Sequence, residues 1–248
     1  MKWRLVKFSK NSAFMNMSID EAILEMVRDG LSPPTIRLYG WSPDAVSIGC
    51  FQSMEEEVNV KRCMELGVDC VRRITGGGAV YHDSEGELTY SIIAREDLFP
   101  KGIRESYREI CGYVVRGLGK IGISAEFAPI NDIVTHGKKI SGNAQTRREG
   151  VLLQHGTILY SLDVKKMFGV LNVSKEKISD KMIKNVEERV TSVRSYSDAS
   201  IEKLCESIET AFTEGREYDI GRVSNEELSK ANGLAKNKYG SRDWNFRR

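Results

Sequence analysis

Arg72-Arg73-Ile74-Thr75-Gly76-Gly77-Gly78 puts two cations and a hydroxyl ahead of three consecutive glycines, and Ala79-Val80-Tyr81-His82-Asp83 follows with an imidazole and a carboxylate. Glycines without Cβ let a turn take positive φ and press its amides against a ligand. Amides exposed in such a turn favour anions. Arg72 and Arg73 bring the planar donors that suit phosphate or carboxylate. The run therefore predicts a loop that grips an anionic small molecule. A second group lies at Asn131-Asp132, Gly137-Lys138-Lys139-Ile140-Ser141-Gly142-Asn143-Ala144-Gln145 and Gln154-His155-Gly156-Thr157. A lysine on a strand among small residues can project into a tight pocket and neutralise charge that develops during attack. Ile140 and Ala144 mark the Lys139 strand as half-buried, whereas Lys138 reads as a solvated turn lysine. His155 taken alone reads as a core histidine with its hydrogen bonds satisfied.

Three other patterns carry no chemistry. Gly117-Leu118-Gly119-Lys120-Ile121-Gly122 has dinucleotide-loop spacing, but it ends a helix instead of opening one, so it reads as a helix stop. Gly137-Lys138-Lys139 lacks the first glycine of a phosphate loop, because Asp132 occupies that position. His82, His136 and His155 have no zinc-ligand spacing.

The elements that must hold these groups follow from periodicity and caps. Strands are expected at 3–8, 35–38, 45–48, 88–94, 126–129, 132–134, 139–145 and 151–161. Val68–Val71 and Ala79–Tyr81 read as the two arms of a glycine hairpin. Helices are expected at 19–27 (capped from Asn16 or Ser18), 60–66, 104–118, 164–171, 201–212 and 226–236. Strands and helices mix without strict alternation, which predicts an α+β fold, with the helical stretch after Asp163 as an outer layer of one domain spanning 1–248. At 248 residues and 40% hydrophobic, the chain can bury a core. A net charge of +2 argues against a nucleic-acid binder. No apolar run approaches a membrane span, and no signal-peptide pattern opens the chain. Five widely spaced cysteines without a CxxC pair suit a reduced, cytoplasmic setting.

The ordered set Arg72–Asp83, Asn131-Asp132, Lys139–Ala144, His155–Thr157 and Thr191-Ser192-Val193-Arg194 resembles lipoate–protein ligase A, from about Met1 to Trp244-Asn245-Phe246. The resemblance implies the fold of biotin and lipoate ligases, mixed β-sheets with helices packed outside. It also implies a two-step reaction: lipoate and ATP give lipoyl-AMP, and the lipoyl group then passes to a lysine of a lipoyl carrier domain (2-oxoacid dehydrogenase E2 or glycine cleavage H protein). On that likeness Lys139 is the catalytic residue. Arg72, Arg73, Thr75, Gly76, Gly77, Gly78, Val80 and His82 line the lipoyl and adenylate pocket. Asn131 and Asp132 hold the adenine or ribose side, with Asp132 also a contact for Mg²⁺, and Ser141, Ala144 and His155 shape the wall. The segment 171–194 resembles a loop that closes over the adenylate. Two-domain relatives carry a small C-terminal domain beyond the matched length, so a separate accessory subunit is expected. Thr146 stands where many relatives carry arginine, with Arg147 or Arg148 as the compensating residue. The competing readings are an octanoyl transferase fed by acyl carrier protein, for which Cys50 is the thiol to test, and a lipoate-binding subunit without turnover.

Overall fold

The computed structural model describes residues 1–161, 163–172 and 188–247. Most of the 171–194 segment expected to cover the adenylate therefore lies outside the described residues.

A large mixed sheet forms the centre. Its strands are β1 (Trp3–Asn11), β2 (Thr35–Trp41), β6 (Glu87–Arg95), β7 (Glu126–Ala128), β8 (Asp132–Thr135), β9 (Lys138–Arg148), β10 (Val151–Leu159) and β11 (Tyr218–Gly221), in the order β11-β1-β2-β6-β10-β9-β8-β7. β1 runs parallel to both β11 and β2, and every other pairing is antiparallel. A second sheet of three strands, β4 (Asp69–Arg72), β3 (Ala45–Ile48) and β5 (Val80–His82), packs beside it. The α+β expectation with mixed sheets is met.

One face of the large sheet is covered by α4 (Ile103–Lys120) and α6 (Ile201–Thr213), whose Ile110, Val114, Leu118, Leu204, Ile208 and Phe212 join the core of β1, β2, β6 and β10. Gly117 is required where these helices meet, since a Cβ there would lie 2.5 Å from the Ile208 side chain. Thus the glycine-spaced run packs and then ends a helix, and Gly122 takes φ +84° just beyond it. The other face is covered by α1 (Ala13–Arg28) and α7 (Asn225–Leu234), with Ile19, Ile23, Leu24 and Val27 against Ile93 and Leu153. Helix α1 begins six residues before the expected start, because Ser12 caps it through the Met15 amide. Asn16 is no cap: it is buried, and its amide reaches the Gly40 carbonyl at 2.9 Å. The short helices α2 (Met54–Glu57), α3 (Val60–Leu66) and α5 (Val164–Val170) cover the small sheet.

The glycine hairpin does not form. β4 and β5 never pair; they flank β3, β4 parallel and β5 antiparallel to it. The triglycine crosses the end of β3, where Gly49 is obligatory because a Cβ would stand 2.1 Å from the Gly77 carbonyl. His136 (φ 47°) and Gly137 (φ 74°) make the two-residue turn between β8 and β9, which is what the supposed phosphate-loop tail turns out to be.

Candidate active site

The two sheets enclose a cavity of about 300 Å³. Its floor is the face of the large sheet where side chains alternate inward, Glu87 and Thr89 from β6, His155, Thr157 and Leu159 from β10, and Gly142 and Ala144 from β9. Gly77, Gly78, Val80 and His82 form the opposite wall with Trp41 and Met17. Lys139 and Asn131 stand at one edge, and Met167 and Leu171 at another.

Lys139 lies at an irregularity in the β8–β9 ladder, where Val134 faces Lys139 but Ile133 faces Ser141. A bulge of this kind re-aims a side chain. The ammonium pairs with Asp132 at 2.7 Å and lies over Gly142, where a Cβ would meet its Cε and Nζ at 2.9 Å. The backbone is clamped from the other side by Thr191, whose amide donates to the Lys139 carbonyl at 2.8 Å. Gly142→Ala is therefore expected to displace the ammonium at little cost to the fold, because the colliding atoms are the end of a flexible chain. Activity should fall about tenfold, as for a misplaced catalytic group, with Tm within about 3 °C of wild type. Parallel kinetics and calorimetry check both halves.

Arg73 is buried and spends its donors on the protein. They go to Thr75 Oγ1 at 3.1 Å, the Ser47 carbonyl at 3.0 Å, and the Gly76 and Gly78 carbonyls at 2.8 Å each. Burial lowers its pKa to about 10, so it stays cationic at neutral pH. Its role is to draw the loop carbonyls back, and no backbone acceptor among the described residues takes the Gly76, Gly77 or Gly78 amide. The anion-seeking groups at this wall are thus amides under a fixed positive charge.

Below the loop runs a buried chain. Thr75 Oγ1 meets His155 Nε2 at 2.7 Å, and His155 Nδ1 lies 3.6 Å from Asp20 Oδ2, too long for a hydrogen bond. Arg37 Nη1 donates to Asp20 Oδ1 at 2.9 Å, Ser91 Oγ to the same oxygen at 2.9 Å, and the Tyr39 hydroxyl to Oδ2 at 3.1 Å. Burial depresses the His155 pKa below 6.5, only partly opposed by Asp20. Burial raises the Asp20 carboxyl, but Arg37, His155 and Ser91 outweigh it and hold it below the ordinary 3.8. A neutral His155 in the fold and a protonatable one in the unfolded chain fix the sign. The contribution is complete above pH 6.5 and is lost as pH falls toward the folded value, by up to about 1.4 kcal/mol per unit. His155→Gln is expected to flatten stability between pH 6.5 and 5, as read by urea midpoints, while the Asp20 effect begins only near pH 4.

His82 is stacked on Trp41, with ring centroids 3.9 Å apart. Its Nε2 meets Ser47 Oγ at 2.8 Å and its Nδ1 meets Glu87 Oε1 at 2.8 Å, an oxygen also reached by Trp41 Nε1 at 2.9 Å and Thr89 at 2.7 Å.

Of the residues expected from the sequence, Arg73, Gly77, Gly78, Val80, His82, Asn131, Lys139, Ala144 and His155 line the cavity. Asp132 reaches it through Lys139. Thr75 and Gly76 lie behind the wall, and Ser141 is buried outside the lining. Arg72 is the clearest correction. It faces away from the cavity, because all of its donors are consumed by backbone carbonyls of 49–52 and 244–247. Arg148 reaches the Ile74 carbonyl at the root of the loop, whereas Arg147 turns to Pro100 and Lys101. Trp41, Ser47, Glu87, Thr89 and Met17 were not foreseen. The one available signal was the Glu87-x-Thr89 alternation, with polar residues inward at the start of an apolar strand. Among the described residues no cluster of three metal-ligating side chains exists, so Asp132 offers a single carboxylate. None of the five cysteines, all within the described residues, lines the cavity.

The two sheets and the lysine-edged cavity between them define a catalytic domain of the lipoate ligase class. The chain belongs to the lipoyl protein ligase A/B family, whose catalytic-domain model matches residues 12–213. Octanoyltransferase LipM of Kyrpidia tusciae is 38% identical over 99% of this chain and 99% of that protein, and LipM of Brevibacillus brevis 34% identical over 100% and 99%. A structure from the archaeal lipoylation system of Thermoplasma acidophilum, described as a bi-partite lipoate protein ligase and its E2 lipoyl domain, superposes with a TM-score of 0.88 at 32% identity over 99% of this chain and 96% of that one. A lipoate-protein ligase A bound with ATP superposes with 0.85 at 31% over 99% of each. The chain is an enzyme of the lipoate ligase and transferase family. No helix among the described residues is long and apolar enough to cross a membrane.

Proposed function

We propose that this chain is an ATP-dependent lipoate–protein ligase. The observation that carries the reading is a cavity edged by the Lys139 ammonium, walled by a carbonyl-braced glycine loop and free of cysteine. Activation brings a carboxylate against the α-phosphate of ATP, and two anions must meet. Lys139, released from Asp132, bridges them, neutralises charge on the phosphate as pyrophosphate departs, and then polarises the carbonyl of the acyl-adenylate. The Gly77 and Gly78 amides, which have no acceptor among the described residues, are the donors offered to the same anionic junction. The apolar part of the lining, Met17, Trp41, Val80, Leu159, Met167 and Leu171, takes the acyl chain, and Asn131 with Asp132 takes the nucleotide side. One carboxylate suits a Mg²⁺ ion that arrives on the triphosphate, since such ions keep most of their waters and use one or two carboxylates. The acyl acceptor is then the lysine amine of a lipoyl carrier domain (E2 or H protein). One superposing ligase is bi-partite, and on that likeness we include a separate accessory polypeptide that raises the activation rate.

A second reading rests on the LipM likeness: transfer of octanoate from an acyl carrier protein. That route needs a thiol to accept the acyl group from the carrier thioester and pass it to the lysine amine. Cys50 adjoins the loop, its amide bonded to the Thr75 carbonyl, yet it lies outside the lining. The deciding assay pairs pyrophosphate release from ATP and lipoate with acyl transfer from octanoyl carrier protein in the absence of ATP. Turnover in the first alone supports the ligase. Turnover in the second alone overturns it.

A further inference from the structure

Arg72 closes β4 and Arg73 follows just beyond it: Arg73 lines the cavity, while the Arg72 guanidinium reaches the C-terminal segment. The Arg72 guanidinium divides its donors between two pieces of chain. The carbonyls of Gly49, Cys50 and Gln52 accept at 3.3, 3.1 and 2.5 Å, and those of Trp244, Asn245 and Arg247 at 3.0, 2.9 and 2.7 Å. β4 is an edge strand, and at Arg72 the C-terminal segment covers that edge with side chains. Asn245 Oδ1 accepts from the Arg72 amide at 2.7 Å, and Trp244 Nε1 donates to the Arg72 carbonyl at 2.8 Å. The 49–52 turn is in turn locked to the glycine loop. The Cys50 amide donates to the Thr75 carbonyl at 2.9 Å, the Arg73 amide to Ile48 at 3.0 Å, and Gly49 lies hard against Gly77.

We infer that the C-terminal segment 241–247 is a positioning element of the active site, and that Arg72 is the positioning residue through which it sets the height of the glycine loop over the cavity. A continuous set of hydrogen bonds and one backbone contact links Trp244 and Asn245 to Gly77, and apart from Arg73 no residue of it lines the cavity before Gly77 itself. That the loop grips substrate rests on the ligase reading; the mechanical coupling does not.

Arg72→Ala would strip six carbonyls and endanger the fold, so the test uses Trp244→Phe and Asn245→Ala. Amide exchange by NMR reads the Cys50 and Arg73 amides, the root of the loop. Loss of one bond is expected to speed their exchange about five- to tenfold while β6 and β10 exchange at wild-type rates. With ATP and lipoate, KM for lipoate is expected to rise about three- to tenfold with kcat within about twofold, the pattern of weakened ground-state binding. Faster exchange of the Asn245 and Phe246 amides without a response at Cys50 and Arg73 would overturn the inference. So would a uniform acceleration across the protein, which marks a loss of global stability alone, or a wild-type KM in a variant with a loosened loop root. A wild-type enzyme silent with ATP and lipoate would sink the ligase reading and leave the exchange result to decide the coupling.

Discussion

Lys139→Ala is expected to lower lipoate-dependent pyrophosphate release by about two to three orders of magnitude, the usual loss when one preorganised charge is removed from a site of developing negative charge. The fold should not register the change. The Lys139–Asp132 pair is 41% and 34% exposed, and pairs of that kind contribute about 1 kcal/mol or less. For a chain of this length that is about 2–4 °C in Tm. Lys139→Arg should not restore the rate, because the ammonium already rests within 2.9 Å of where a Gly142 Cβ would stand, and a planar fork does not fit there. Asp132→Ala separates tethering from chemistry. It frees the ammonium without deleting it, so it should cost less than Lys139→Ala. Full activity in the Lys139→Ala protein would remove the residue from the mechanism, and with it the main support for adenylate chemistry in this cavity.

The position of Lys139 could be read before the structure because a lysine on a strand among Ser141, Gly142 and Ala144 has few other reasons to be there. The loop was legible in composition but not in construction. Paired arginines before three glycines look like two ligand donors, yet one ends β4 against the C-terminal segment and the next turns into the cavity wall, and burial obliges each to satisfy its own donors on carbonyls. Pairing partners are also invisible in one sequence. The segments either side of the triglycine look like hairpin arms, and only β3, inserted between them, shows otherwise. Asn16 has the chemistry of a helix cap, but a buried arginine from β2 claims its side-chain oxygen Oδ1 at 2.5 Å. β11 left no periodic signal because its four residues are all at least partly exposed and pair on one side only. Glu87 and Trp41 were hidden for another reason: each lies just beyond an expected strand, 88–94 and 35–38, and their inward polar atoms become visible only when the strands extend to include them and His82 is placed against both.

The second large effect concerns the floor beneath the loop. Arg37→Leu is expected to destabilise the protein by about 3–5 kcal/mol, since it leaves a buried carboxylate without its cation. That corresponds to roughly 6–20 °C in Tm. Arg37 is 1% exposed, donates to Asp20 at 2.9 Å, and lies 4.0 Å over the Tyr39 ring, so charge and packing are lost together. In the wild type burial keeps His155 neutral, and stability falls as pH drops below 6.5. Without Arg37 the ion-pair partner left to Asp20 among the described residues is a protonated His155, 3.6 Å away. With Asp20 no longer neutralised by Arg37, the folded-state pKa of His155 should move up toward its unfolded value, while burial, the largest cause of its depression, remains, so the loss of stability below pH 6.5 becomes shallower. Arg37→Leu should therefore lose less stability than the wild type between pH 8 and pH 6. Adding Asp20→Asn removes the orphaned charge, and should recover part of the loss and return the steeper slope. Urea midpoints for the three proteins at the two pH values test this directly. If Arg37→Leu keeps the wild-type pH slope, His155 and Asp20 do not share a proton-dependent interaction, and Thr75 is held in place by hydrogen-bond geometry alone.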